Sequence, residues 1–218
     1  MELINIESSR IIFLTQVHRP GGQLYLPEAF EKVKHRYSFT VVPKPDDAGK
    51  DGFAFQIGKF DNAQIQEMRI YSDGVIVTSS SNMEILDRFL ADMLKWSEIE
   101  LGLTTTSLAK PEKHYESNII VRAKTDISKA HKPNEKLLSI FADYLSAKVV
   151  GQPHYELTGM FVDADPEASK NIRRPHRFTV ERRLGIPFRQ NVFFSWAPLT
   201  TNDHLILLEQ LETLADSS

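Results

Sequence analysis

The chain has 218 residues, 41% of them hydrophobic and 25% charged, a composition that fits one large globular domain or two small ones sharing a core. Lys and Arg number 26 against 29 Asp and Glu, a net charge of −3, so the whole molecule has no electrostatic pull toward nucleic acid or anionic lipid. Cysteine is absent, which excludes disulfides, thiolate metal sites and cysteine nucleophiles.

No apolar run is long enough to cross a bilayer as a helix. Met1 to Glu7 lacks a basic segment followed by an apolar one, so no signal peptide is expected and the cytoplasm is the default location. Ser9–Val17 is β-branched and apolar and reads as a strand, ended by His18-Arg19-Pro20-Gly21-Gly22. Pro27 suits a first helical turn, and Leu26, Phe30, Val33 and Tyr37 share one face of a short helix, Pro27–Tyr37. Phe39–Val42 returns as a strand and stops at Pro43, and Lys44–Gly52 is a polar loop. Phe53, Phe55 and Ile57 alternate with small or polar residues, the pattern of a half-buried strand. Met68–Tyr71 and Val75–Thr78 form a hairpin across Ser72-Asp73-Gly74. Ser81 with Glu84 fits a capping box, and Ile85, Leu86, Phe89, Leu90, Met93 and Leu94 then make a wide helical stripe running on to Trp96.

The second half repeats this scheme. Asn118–Ala123 is a strand, Pro133-Asn134 opens a helix on Leu137, Leu138, Phe141, Tyr144 and Leu145, and Tyr155–Val162 is a strand. A hairpin follows, Arg177–Arg183 and Asn191–Trp196, turning at Leu184-Gly185-Ile186-Pro187. A last helix then leaves through Thr200-Thr201-Asn202-Asp203 on Leu205, Leu208, Leu211 and Leu214. Glu7-Ser8-Ser9-Arg10-Ile11-Ile12 is similar to Glu116-Ser117-Asn118-Ile119-Ile120-Val121, and hairpin, Ser81-Asn82 and helix are similar to hairpin, Thr201-Asn202 and helix. The fold expected is therefore α+β, a tandem duplication of a strand–helix–strands–helix unit, with antiparallel strands and helices on one face. Residues 1–103 form the first repeat, 104–115 a linker and 116–218 the second repeat. In the order of its elements, though not in its motifs, this arrangement resembles the tandem saddle-shaped sheets of TATA-binding proteins.

Chemistry concentrates around the second hairpin. Lys170, Arg173, Arg174, Arg177, Arg182, Arg183 and Arg189 face only Glu181 in their window, which carries +6 while the remainder carries −9. Strand alternation puts Arg177, Thr179, Glu181 and Arg183 on one side, and Phe178, Val180 and Arg182 on the other. Guanidinium groups so spaced can clamp phosphates or carboxylates, and aromatics beside them can stack. The simpler reading makes Phe178, Val180, Phe194 and Trp196 core and ties the arginines into salt bridges.

Elsewhere the motifs are thin. Asp163 and Asp165, with Glu167 nearby, could hold a divalent cation with a substrate phosphate, although acids before Pro166 more simply make a turn. The seven histidines show no metal-binding spacing, and His204, in the first turn of the last helix, suits a capping or surface position. The loop from His18 to Tyr25 offers Leu24 and Tyr25 to a partner or to a sheet edge. No nucleophile–base pair, nucleotide-binding loop, metal site or cofactor is expected, which points away from an enzyme.

The function expected is binding or assembly, with a protein partner, including a second copy of the chain, recognised through a sheet surface and the hairpin. Arg173, Arg174, Arg177, Arg182 and Arg183 would supply charge, and Phe193 and Trp196 an apolar anchor. Binding of nucleic acid or nucleotide phosphate through the same residues is the first alternative, and a divalent-metal-dependent hydrolase the second.

Overall fold

The computed structural model describes residues 1–22, 24–47, 52–105, 111–130, 138, 140, 156–165, 167 and 176–217. The helix expected at Pro133–Leu145 falls almost wholly outside them, as do Lys170, Arg173 and Arg174. Among the described residues the architecture is α+β: a large antiparallel sheet and three long helices. The chain forms two compact units. One contains Ile6–Asn118 and Pro198–Asn202; the other contains Met1–Asn5, Ile119–Ala197 and Asp203–Ser218. No helix among the described residues is long and apolar enough to cross a membrane.

In the first unit, strands β1 (Glu2–Leu14), β3 (Phe53–Phe60), β4 (Ala63–Tyr71) and β5 (Gly74–Ser79) are ordered β3-β4-β5-β1. A short ladder pairs β2 (Val17–His18) with β6 (Thr104–Thr105), and β7 (Glu112–Arg122) begins soon after. Helices α1 (Leu26–Tyr37) and α2 (Met83–Leu101) cover one face of these strands. The expected stripes do this work. Phe30, Val33 and Tyr37 from α1 and Leu86, Phe89, Leu90 and Met93 from α2 meet Ile11, Phe13, Phe55, Ile65, Met68 and Val77 in one core. Each such side chain contributes about 1.5–3 kcal/mol by leaving water.

Three local readings change. Helix α2 is capped by Asn82, whose side chain accepts the Glu84 N–H at 3.3 Å, while the Ser81 N–H donates to Ser79 Oγ. Phe39–Val42 reduces to a single bridge, Val41 to Gln56. Its Phe39 ring lies against Gly58, where a Cβ would sit only 2.4 Å from the ring, so glycine is what lets the segment close on the strand. Ile57 does not continue the alternation of Phe53 and Phe55. It adopts φ 57° and turns half out to solvent, a left-handed conformation that a β-branched residue enters only with strain.

In the second unit the order is β7-β10-β9-β8, with β8 at Gly159–Val162, β9 at Phe178–Arg182 and β10 at Val192–Ala197. The β9–β10 connection is longer than the simple turn expected. A turn at Leu184-Gly185 is followed by a 3-10 turn, Phe188–Gln190. Helix α3 (Thr201–Asp216) closes the chain. Its buried face is rotated from the leucine stripe: His204, Leu208, Glu212 and Ala215 point inward while Leu214 is exposed. Two polar side chains can face inward because both find partners. Glu212 accepts the backbone N–H groups of Lys124 and Thr125, and His204 Nε2 lies 2.7 Å from Ser195 Oγ.

Candidate functional site

The arginines of the second hairpin separate into two environments. Arg182 is an interior residue, only 6% exposed. Its guanidinium meets Asp126 at 2.5 Å and Glu156 at 3.5 Å, donates to the Phe188 carbonyl at 2.8 Å and lies between the rings of Phe188 and Phe193. Phe193 is likewise buried. Neither residue reaches the surface assigned to it from sequence. Both instead join β9 and β10 to the turn after β7. A buried guanidinium needs this many partners, since an uncompensated interior charge costs several kcal/mol.

The pairing register fixes what shows on each side. Arg182 lies opposite Phe193, Val180 opposite Ser195 and Met160, and Phe178 opposite Val162. This side faces α3, where His204 meets the Phe178 ring and Ser195. The other side of the sheet carries two rows: Phe161, Thr179 and Trp196, then Gly159, Glu181 and Phe194. Phe194 and Trp196 therefore do not join Phe178 and Val180 in a common core. A shift of one residue in register would have reversed these assignments.

On this second side the side chains form a cluster. Phe161 is 61% exposed, and the Arg177 guanidinium lies 5.4 Å from its ring centre. Trp196 is half-buried beneath the His176 ring, stacked at 5.2 Å and 29°. Thr179 between them is nearly covered, while Glu181 and Arg183 are exposed. The indole N–H of Trp196 is buried and has no hydrogen-bond acceptor among the described residues. Arg177 and Arg183 are thus exposed and Trp196 half-buried, while Arg182 and Phe193 are buried. Phe161, Thr179 and His176 were missed: a lone aromatic in a short strand has no signal until the pairing is known.

The first unit presents a different surface on the helix-free side of its strands. Arg10, Thr78, Glu67 and Gln56 form one row. Glu67 is held below the usual carboxylate range, first by its hydrogen bond from Arg69 and then by that from Gln56. Arg10 meets Glu116 at 3.3 Å. Opposite charges here satisfy one another.

The other chemical candidates are structural. Ser195 donates to the Thr179 carbonyl at 2.7 Å, so the His204 Nε2–H must donate to Ser195 Oγ, the wrong tautomer for a general base. Burial lowers the His204 pKa to about 4 and leaves the ring neutral. His204 is fully buried, which corrects the surface position expected from its place in the first helical turn: strand β10 supplies the partner. Asp163 accepts the N–H of Ala164, and Asp165 that of Glu167, at 2.9 and 2.8 Å, the simple turn chemistry of aspartate. Among the described residues no group of three His, Asp or Glu side chains could hold a metal ion.

No protein-family model matches the chain, and no curated protein sequence matches it. Among solved structures it is similar to Methanococcus jannaschii TBP, with 11% identity, a TM-score of 0.45, and 98% of this chain and 99% of that chain covered. No residue role is carried over from that likeness.

Proposed function

We propose that the protein is a non-enzymatic binding protein that recognises a protein partner through the face of β8, β9 and β10 opposite α3. The observation that carries this reading is the Phe161–Arg177–Trp196–His176 cluster, with a large ring 61% exposed on a sheet face. Aromatic and arginine side chains on a surface are the usual anchors of protein interfaces. Recognition of nucleic acid through the same hairpin has less support. Arg182 spends its charge internally on Asp126 and Glu156, and along β9 the exposed Arg177 and Arg183 flank Glu181. Phosphate recognition relies on clustered, unopposed cations.

The tandem duplication belongs to the same proposal. Ser79 and Ser195, each in the second strand of a hairpin that precedes a helix, each donate at 2.7 Å to a carbonyl of the strand before, Gln64 and Thr179. Ser9, Ile11 and Phe13 are buried in the same alternation as Ser117, Ile119 and Val121, one residue out of step with the alignment read from sequence. A cytoplasmic setting is supported by a chain without cysteine.

A photo-crosslinking amino acid placed at position 161, with one at the exposed Ile206 of α3 as control, tests the reading. Protein adducts, to a partner or to a second copy, are expected at 161 and not at 206. Equal yields at both positions, or adducts to nucleic acid alone, would sink it.

A further inference from the structure

The cluster on β8–β10 is covered by the chain's own Arg177 and His176 side chains. Phe161 and Trp196 stand on the strands either side of β9, both opposite Thr179. Two strand spacings separate them, roughly 10 Å, enough for one planar cation between two rings. Thr179 forms a small floor, and Glu181 stands two residues along on the same side of β9. Glu181 makes no ion pair among the described residues. Gly159 opposite it has no room for a side chain, since a Cβ there would come within 2.8 Å of Glu181 Cβ.

Arg177 lies over Phe161 and makes no salt bridge among the described residues. His176 lies over Trp196, whose buried indole N–H has no acceptor among the described residues. A cation held on an exposed ring, as Arg177 is on Phe161, is one that a better-fitting group can displace.

Resting on the protein-partner reading above, we propose that this trough takes a basic side chain, lysine or arginine, from the partner. It enters where Arg177 now lies, with Phe161 and Trp196 as walls and Glu181 as counter-charge.

The test is a titration of the full chain, at low salt, with a hexa-arginine peptide and separately with a hexa-glutamate peptide and a short DNA duplex. The readout is the two indole N–H resonances, Trp96 in the first unit serving as internal control. Hexa-arginine is expected to move the Trp196 resonance and not that of Trp96. Removing the resident competitor, Arg177→Ala, tightens the peptide by about threefold, the strength of an exposed cation–ring contact. Glu181→Gln weakens it. An unmoved Trp196 resonance, or weaker peptide binding in Arg177→Ala, overturns the cation site. Binding of hexa-glutamate or DNA that Arg177→Ala abolishes also overturns it and makes Arg177 the ligand. Crosslinks at 161 are independent of this result. If they persist while the cation site fails, the face remains an interface; if they are lost, the partner reading itself falls.

Discussion

Acid should unfold this protein through one buried ring. His204 is fully buried against Ser195 and Phe178, and burial lowers its pKa from 6.5 to about 4. Above pH 6.5 the ring is neutral in both folded and unfolded chains, and its environment is not penalised. As the pH falls through 6.5, the unfolded chain takes up a proton that the folded chain refuses, so stability drops. The loss continues until about pH 4, where the folded ring also protonates, and then levels off. The difference between the two pKa values corresponds to about 3 kcal/mol at 1.36 kcal/mol per unit. Urea unfolding followed by circular dichroism between pH 7.5 and 4, on the wild type and His204→Gln, isolates the effect, because glutamine keeps a donor toward Ser195 without titrating. Glu67, whose lowered pKa stabilises the fold above the ordinary carboxylate value and is lost below it, contributes equally to both proteins and cancels. The wild type should lose about 3 kcal/mol more than the variant across this window. Parallel pH profiles, or a wild type that gains stability on acidification, would refute the argument.

Arg182→Met should destabilise the fold by about 3 kcal/mol, because Asp126 loses its main compensation, and Arg182→Lys should not restore it, since an ammonium cannot both span two acids and stack between two rings. A loss under about 1 kcal/mol in denaturant unfolding would show the pair to be nearly neutral. Ile57→Gly should stabilise by about 1 kcal/mol, measured as a rise in midpoint, because glycine adopts a left-handed φ without strain and the isoleucine is half exposed. Asn82→Ala should cost about 1 kcal/mol through loss of the α2 cap, whereas Ser81→Ala leaves that cap in place.

Helix α2 was readable because six apolar residues at helical spacing admit one orientation. The Asp73-Gly74 hairpin was readable because few residues tolerate its turn. What sequence could not supply were features set by residues far away. The inward face of α3 includes His204 and Glu212, which periodicity scores as surface until Ser195 and the Lys124 N–H appear as partners. The strand alternation of Arg177 and Arg182 was correct, but which side met the helix depended on the β9–β10 register, and a longer connection through Phe188–Gln190 concealed it. Ile57 left its expected face because of a backbone turn that only the closing Phe39–Val41 segment explains.

Arg182 draws together Asp126, Glu156 and the Phe188 carbonyl, groups from segments well separated along the chain. Loop closure over such separations is slow and entropically costly, so this knot belongs late on the folding path, after the local β9–β10 hairpin. Interactions made after the barrier act on the rate of escape from the native state and leave the rate of reaching it unchanged. Stopped-flow measurements on Arg182→Met should show an unfolding limb roughly a hundredfold faster and a folding limb close to wild type. The arginine would then act as a latch whose value is the lifetime of the closed hairpin, the element on which the exposed aromatic face is mounted.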